Sequence, residues 1–160
     1  MNNLKYTNYE IVFQEVPNET SLAFNISGCT HRCPDCHSKY LWNDVGFPLL
    51  NNLQDILNQY KDYITCVCFM GGDQNLIELR KLLLICKKNK LKTCVYSGDN
   101  TPTAFAFMWD LLDYLKIGEY IKERGGLNCS TTNQKFFKVH TNNELSWIED
   151  QTYLFQKHYI

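Results

Sequence analysis

The chain has 160 residues, of which 44% are hydrophobic and 21% are charged, so it is long enough for one domain with a substantial core. Sixteen lysines and arginines against seventeen aspartates and glutamates give a formal net charge of -1, and no basic excess indicates a nucleic acid or an anionic membrane as partner. The apolar runs are too short to span a bilayer and the N-terminal MNNLKYTNYE lacks the pattern of a signal peptide, which together favour a cytoplasmic protein.

Strand-like and helix-like segments alternate along the first half of the chain. Residues 21–27 carry apolar side chains at every second position and predict a strand that leads into a cysteine-rich loop. Residues 49–60 carry apolar side chains at helical spacing and predict a helix. The short apolar run 64–70 ends at Gly71-Gly72 and is typical of a buried parallel strand.

The alternation continues in the second half. A second helix is predicted to begin near Asn75, and a strand follows it at 91–96. Thr101 and Pro102 are typical of an N-cap and a first helical position, and they predict a third helix that runs to Leu112. Two weaker strand candidates lie at 114–117 and 135–140.

Successive β-α units predict an α/β fold with a mainly parallel sheet, because parallel strands need crossover connections. A closed eight-stranded barrel takes about 250 residues, so a partial (β/α) barrel or an open sheet of roughly five or six strands fits a single domain over residues 1–160 better. Ligands gather at the C-terminal ends of such strands. The cysteine loop, the Gly71-Gly72-Asp73 turn and the Ser97-Gly98 turn are therefore expected to share one edge.

The eight cysteines do not suit a disulfide framework in a reducing compartment. Four of them lie in apolar runs and are predicted to be buried core residues, namely Cys66, Cys68, Cys86 and Cys94. Three others, Cys29, Cys33 and Cys36, lie in the polar segment GCTHRCPDCH, which is typical of a metal-binding loop.

Three cysteines leave one place open, because a tetrahedral metal site or a cubane iron–sulfur cluster normally has four ligands. One solution is a structural zinc site of the Cys3His type, with His31 or His37 as the fourth ligand. Such sites usually pair two short ligand motifs, and the sequence offers no convincing second motif.

The spacing Cys29-x3-Cys33-x2-Cys36 after the first predicted strand resembles the radical S-adenosylmethionine (SAM) enzymes. The resemblance implies that the three thiolates hold a [4Fe–4S] cluster, whose fourth iron binds the amino nitrogen and a carboxylate oxygen of SAM. One electron then breaks a carbon–sulfur bond of SAM and yields a 5′-deoxyadenosyl radical. No protein side chain is required as a catalytic acid or base in this scheme.

Four segments narrow the resemblance to the activating proteins of anaerobic ribonucleoside-triphosphate reductases, and together they extend over most of the chain. They are SGCTHRCPDCHSKYLW, MGGDQ, YSG and GGLNCSTTNQKFF. The resemblance implies an oxidoreductase that generates a glycyl radical on the large subunit of the reductase. It also implies a low-potential electron donor such as flavodoxin or ferredoxin.

The resemblance further implies that a set of residues near the cluster binds SAM, namely Asp35, His37, Gly71, Gly72, Asp73 and Ser97. Asp73 would receive the positively charged ammonium group of SAM. Each assignment has a structural alternative: Gly-Gly-Asp is also an ordinary turn with Asp73 as helix N-cap, and Ser97 also suits a plain turn. Lys116 is either a contact of the SAM carboxylate or a solvated strand lysine, and residues 131–134 form either a partner-facing loop or a turn.

The sequence departs from the family pattern in two places. Asp35 stands where many radical SAM proteins have an aromatic residue, and QEVPNETS replaces a glycine-rich N-terminal segment, although Pro17 and Asn18 predict a turn there. A radical SAM enzyme that acts on a different glycyl-radical protein or on a small molecule would share every cluster feature, so that alternative stays open.

Overall fold

The computed structural model of the chain describes residues 3–29 and 43–156. Eight strands are described: β1 Lys5–Val12, β2 Ser21–Ile26, β3 Phe47–Pro48, β4 Cys66–Met70, β5 Lys92–Tyr96, β6 Tyr114–Ile117, β7 Lys135–Thr141 and β8 Ser146–Asp150. The helices are α1 Leu49–Tyr60, α2 Leu76–Lys88 and two 3₁₀ helices, Pro102–Leu111 and Thr152–Phe155. Among these described residues, no helix has the length and apolar character needed to cross a membrane.

All eight described strands belong to one sheet in the order β3-β1-β2-β4-β5-β6-β7-β8. The four central strands, β2, β4, β5 and β6, are parallel, as the alternation of strands and helices predicts. The prediction of a mainly parallel sheet of five or six strands is nevertheless wrong for the whole sheet. Four of the seven described pairings are antiparallel, and they lie at the two sides of the parallel centre.

The strand candidate 135–140 is confirmed as β7, but the antiparallel strands β1, β3 and β8 escape sequence analysis because they bury little apolar surface. None of the eight residues of β1 is fully buried, and β8 is mostly exposed. Neither strand shows the apolar run or the strict alternation by which a strand is recognised in a sequence. The observed fold is therefore a mixed α/β fold with a parallel centre.

Local sequence explains the helices around this centre. The predicted helix 49–60 is confirmed as α1, and Asn75 caps α2, because its side-chain oxygen accepts a hydrogen bond from the Glu78 N–H at 3.2 Å. The third predicted helix is a 3₁₀ helix from Pro102 to Leu111. The predicted start is confirmed, with Thr101 at the N-cap position and Pro102 at the beginning of the helix, although the Thr101 side chain makes no capping hydrogen bond and the helix ends one residue before Leu112.

The two faces of the parallel strands carry separate apolar clusters. The face under α1 and α2 is formed by large side chains such as Phe24, Phe69 and Leu115. The opposite face is lined by smaller and polarisable side chains, and its buried members are Val16, Ala23, Cys66, Cys68, Cys94, Tyr114, Leu127 and Phe136. The prediction that Cys66, Cys68, Cys86 and Cys94 are core residues is confirmed, since all four are fully buried.

One carboxylate joins the amino-terminal ends of the parallel strands. Glu19, just before β2, accepts hydrogen bonds from Thr65 before β4 (2.7 Å), from Lys92 in β5 (2.9 Å) and from Tyr114 in β6 (2.7 Å). The predicted turn at Pro17-Asn18 positions Glu19. A hydrogen bond from the Glu19 N–H to the Val16 carbonyl, 3.1 Å long, closes this turn. We call Glu19 and its three partners the Glu19 network; it lies at the sheet edge opposite to the candidate site.

Candidate functional site

The carboxyl ends of the four parallel strands meet at one edge, which we call the strand-end edge. Residues 27–29 follow β2, residues 71–74 follow β4, Ser97 follows β5 and Gly118 follows β6. The loops are joined by backbone hydrogen bonds, from Gly71 N to the Tyr96 carbonyl (2.9 Å) and from Gly118 N to the Asp99 carbonyl (2.7 Å). The predicted convergence is confirmed for the described residues that follow β2, β4 and β5, since these strands are parallel neighbours.

Asp73 and Ser97 form the closest polar contact at this edge. The Ser97 hydroxyl lies 2.5 Å from an Asp73 carboxylate oxygen and also accepts the Asp99 N–H at 2.9 Å. Asn75 is the N-cap of α2, so the interpretation of Asp73 as an ordinary helix cap is wrong. Asp73 instead connects the loop after β4 to the loop after β5.

Glycine is required at the turn that carries Asp73. The φ angle of Gly72 is +102°, a backbone conformation that residues with a Cβ rarely adopt. A Cβ at this position would lie 3.2 Å from Leu79 Cδ1 and 3.3 Å from Ile26 Cδ1, so two core side chains pack directly on the turn. The turn therefore keeps the backbone close to the core.

Cys29 lies at the start of the cysteine loop, and hydrogen bonds connect the two described ends of this loop at its base. The Gly28 N–H donates to the Asn43 carbonyl at 3.1 Å, and the Ser27 hydroxyl donates to the Val45 carbonyl at 2.5 Å. These bonds bring the two described ends of the loop together beside β2. Cys29 itself is a partly exposed free thiol.

The remaining predicted residues of the cysteine loop lie outside the described residues. They are His31, Cys33, Asp35, Cys36 and His37. Within residues 3–29 and 43–156, no group of three or more His, Cys, Asp or Glu side chains is arranged to hold a metal ion. The role of Cys29, Cys33 and Cys36 as a ligand set, and those of Asp35 and His37 in SAM binding, stay predictions.

Lys116 is buried at the strand-end edge, although a strand lysine is usually solvated. Its ammonium nitrogen lies 2.8 Å from the Gly118 carbonyl and 3.3 Å from the Ser97 carbonyl, and the side chain is 9% exposed. It lies 5.8 Å from the centre of the Tyr96 ring, within the range of a cation–π contact. Sequence analysis had no signal for this burial, because β6 is too short to show a pattern.

The segment 131–134 closes the same edge from the side of β7. Asn133 donates its amide to the Glu119 carbonyl at 3.0 Å, and Gln134 donates to the Gly118 carbonyl at 3.4 Å. Residues 131–134 are thus tied to the loop after β6 by their own side chains. The contact of this segment with a partner stays a prediction.

Sequence analysis also missed Gln74 as a site residue, although MGGDQ contains it. Its side-chain N–H donates to the Ser27 carbonyl at 2.7 Å and thereby joins the loop after β4 to the base of the cysteine loop. The signal that would have found it is its position directly after Asp73 in a loop at the strand-end edge.

Cysteine and tyrosine side chains are buried on the face of the sheet opposite α1 and α2. Burial raises the pKa of the Cys94 thiol, and nearby Cys68 raises it further. Burial also raises the pKa of Tyr96, whose hydroxyl donates to the Glu15 carbonyl at 2.5 Å. These groups therefore stay protonated at neutral pH in the absence of a metal.

A family model described as a 4Fe-4S single cluster domain matches residues 20–123, well over half of the chain. The chain belongs to this family. The match begins just before β2 and ends just after Gly118, so it spans the cysteine loop and the loops after β4, β5 and β6. No curated protein matches the chain.

Membership of the 4Fe-4S single cluster domain family identifies an iron–sulfur, metal-binding protein and favours a [4Fe–4S] cluster over a structural zinc site. The described residues fit such a group. Cys29, a partly exposed free thiol, stands at the start of a loop whose base is closed, and a thiol is the ligand that such a cluster takes. A cluster domain is consistent with a redox enzyme.

Proposed function

We propose that this protein is a radical SAM activating enzyme that generates a glycyl radical on the large subunit of an anaerobic ribonucleoside-triphosphate reductase. In this proposal the whole chain, residues 1–160, acts as one domain of partial-barrel type in the cytoplasm. Cys29, Cys33 and Cys36 hold the [4Fe–4S] cluster, and an electron donor of low potential, such as flavodoxin or ferredoxin, reduces it. The proposal rests on the cluster family and on the resemblance of the four quoted segments.

The observation that supports SAM binding best is the Asp73–Ser97 contact beside Cys29's loop. A carboxylate held by a serine hydroxyl at 2.5 Å keeps its position, and its negative charge suits a cationic ligand. Asp73 is not used as a helix cap, because Asn75 takes that position. A ligand with an ammonium group suits this arrangement.

Each described residue has a defined task in the proposal. Asp73 binds the ammonium group of SAM, and Ser97 orients Asp73. The Gly71-Gly72 turn lets the ligand approach the backbone closely. One electron passed through a bound, reduced cluster would break a carbon–sulfur bond of SAM, giving methionine and the 5′-deoxyadenosyl radical that takes a hydrogen atom from the glycine. The chain itself binds and orients, and it moves no proton in this scheme.

The first test is an electron paramagnetic resonance spectrum of the anaerobically reconstituted, reduced protein, recorded with and without SAM. We expect a reduced [4Fe–4S] signal that changes when SAM is added, because one iron lacks a protein ligand. A protein with stoichiometric zinc and no acid-labile sulfide would contradict the proposal.

The second test separates this proposal from the alternative radical SAM reactions. The reduced enzyme is mixed with SAM and with the purified large reductase subunit, and the glycyl radical signal and 5′-deoxyadenosine are quantified. We expect both products in equal amounts, as one hydrogen atom is transferred for each SAM cleaved. Formation of 5′-deoxyadenosine with no glycyl radical would indicate a different substrate.

A further inference from the structure

Two buried acceptors at the strand-end edge need a donor that the described chain does not supply. Gln74 Oε1 and Asn133 Oδ1 are two of four buried side-chain atoms without a hydrogen-bond partner in the described residues, and both belong to loops at this edge. The other two, Ser21 Oγ and Trp109 Nε1, lie elsewhere in the fold. Buried polar atoms are almost always paired, and a donor on a bound ligand would complete a pair at this edge.

The orientation of the Gln74 amide is set by its neighbours. Its nitrogen donates to the Ser27 carbonyl at 2.7 Å, and the reverse orientation would place two oxygens against each other. A Cβ on Gly28 would lie only 3.2 Å from the same nitrogen, so the amide packs directly on the residue before Cys29. The oxygen of Gln74 is therefore the amide atom without a hydrogen-bond partner, and it is buried beside the base of the cysteine loop.

Asp73 and Gln74 are consecutive residues of one turn, and their side chains bond to two different neighbouring loops. Asp73 contacts Ser97 after β5, whereas Gln74 contacts Ser27 after β2. An amino group carries several N–H donors and is not satisfied by a single carboxylate oxygen. A carboxylate and an unpaired amide oxygen on the same turn suit such a group.

We propose that Gln74 Oε1 accepts a hydrogen bond from the amino group of bound SAM, which adds a binding residue to the site. The inference rests on the proposed function. The amino group is favoured over the adenine because Gln74 packs on the residues next to Cys29, and the amino-acid part of SAM is the part that must reach a cluster held there.

The test compares two ligands on the reconstituted, unreduced protein. The dissociation constants of SAM and of 5′-methylthioadenosine, which lacks the amino-acid part, are measured for the wild type, for Gln74→Met and for the control Gln54→Met. Gln54 lies on α1 and bonds only to Asn58 and Asn89. Iron content and the thermal unfolding midpoint are measured on every variant.

We expect Gln74→Met to bind SAM about tenfold more weakly, as loss of one hydrogen bond predicts, and to bind 5′-methylthioadenosine within about twofold of the wild type. Unchanged SAM binding overturns the inference. Equal weakening of both ligands together with lost iron also overturns it, because Gln74 would then only hold the cysteine loop. If Gln74→Met does not fold, Gln74→Asn, which withdraws the amide by one carbon, replaces it with the same expected pattern.

The two proposals fail in different ways. A wild-type protein that reconstitutes its cluster and binds no SAM overturns the proposed function, and the Gln74 contact with it. A wild-type protein that binds SAM while Gln74→Met binds it equally well overturns only the Gln74 contact.

Discussion

At the scale of single residues, the Ser97 hydroxyl connects structure and ligand binding. Ser97→Ala removes the hydrogen bond to Asp73 and the one that Ser97 accepts from the Asp99 N–H. Since a hydrogen bond to a charged group contributes about 1.5–3 kcal/mol, we expect the dissociation constant of SAM to rise by about tenfold or more. Anaerobic isothermal titration calorimetry measures the change.

Ser146→Ala is the matched control for this substitution. Ser146 also bonds through its hydroxyl, to Thr141 at 2.8 Å, but the pair is exposed at the far side of the sheet. SAM binding equal to that of the wild type is expected. If both serine variants bound SAM as the wild type does, Asp73 would not depend on Ser97.

Residue-scale features differ in how far the sequence predicts them. Gly71, Gly72, Asp73 and Ser97 were placed at one edge because each directly follows a recognisable strand. The burial of Lys116 and the unpaired oxygen of Gln74 depend on carbonyls from other loops, which no local pattern records. Sequence analysis therefore does not predict single contacts between loops that are distant in the chain.

At the scale of elements, the Glu19 network holds the starts of the parallel strands together. Burial alone raises the pKa of Glu19, but hydrogen bonds from Lys92, Thr65 and Tyr114 outweigh it and leave the pKa below its usual value. The stabilisation is therefore fully present above the unfolded-state pKa of about 4.3 and is lost as the pH falls through the lower folded-state value.

We expect Glu19→Gln to lower the free energy of unfolding at neutral pH by about 1–3 kcal/mol, because the hydrogen bonds to the carboxylate are weakened. The variant should also lose less stability than the wild type between neutral and acidic pH. Urea unfolding at several pH values tests both statements. Glu10→Gln, at an exposed position of β1, serves as control, with a change within about 0.5 kcal/mol; a similar loss in both variants would contradict the role of the network.

Elements were predictable where they bury a face. Strands β4 and β5 and helices α1 and α2 were found from apolar patterns, because each presents a buried side to the core. Strands β1 and β8 were missed, because the hydrogen bonds of a neighbouring strand rather than their own burial define them. The outer strands are thus defined by hydrogen bonds to a neighbouring strand, and a single sequence does not show such pairings.

At the scale of the whole molecule, the core and the cysteine loop are separate. The apolar clusters on both faces of the sheet form without Cys29, which lies beyond the end of β2. We expect Cys29→Ala to lose the iron of the reconstituted protein, about four atoms per chain, while its far-ultraviolet circular dichroism and thermal unfolding midpoint stay those of the apoprotein. Full iron content in this variant would contradict the role of Cys29 as a ligand.

Because some thiols are buried and others are partly exposed, the rates at which the cysteines are alkylated can report whether the cluster is bound. Burial raises the pKa of Cys66, Cys86 and Cys94, whereas Cys29 and Cys129 are partly exposed. Alkylating reagents attack thiolates, so in native apoprotein iodoacetamide should modify Cys29 and Cys129 at least about tenfold faster than Cys66, Cys86 and Cys94. Tryptic mass spectrometry reads each site.

Cys129 then serves as an internal standard for Cys29. Cluster assembly should protect Cys29 and leave the labelling rate of Cys129 unchanged, and protection of both to the same degree would contradict this. The labelling ratio of the two sites would then count loaded molecules in a mixed preparation, without any spectroscopic signal from iron.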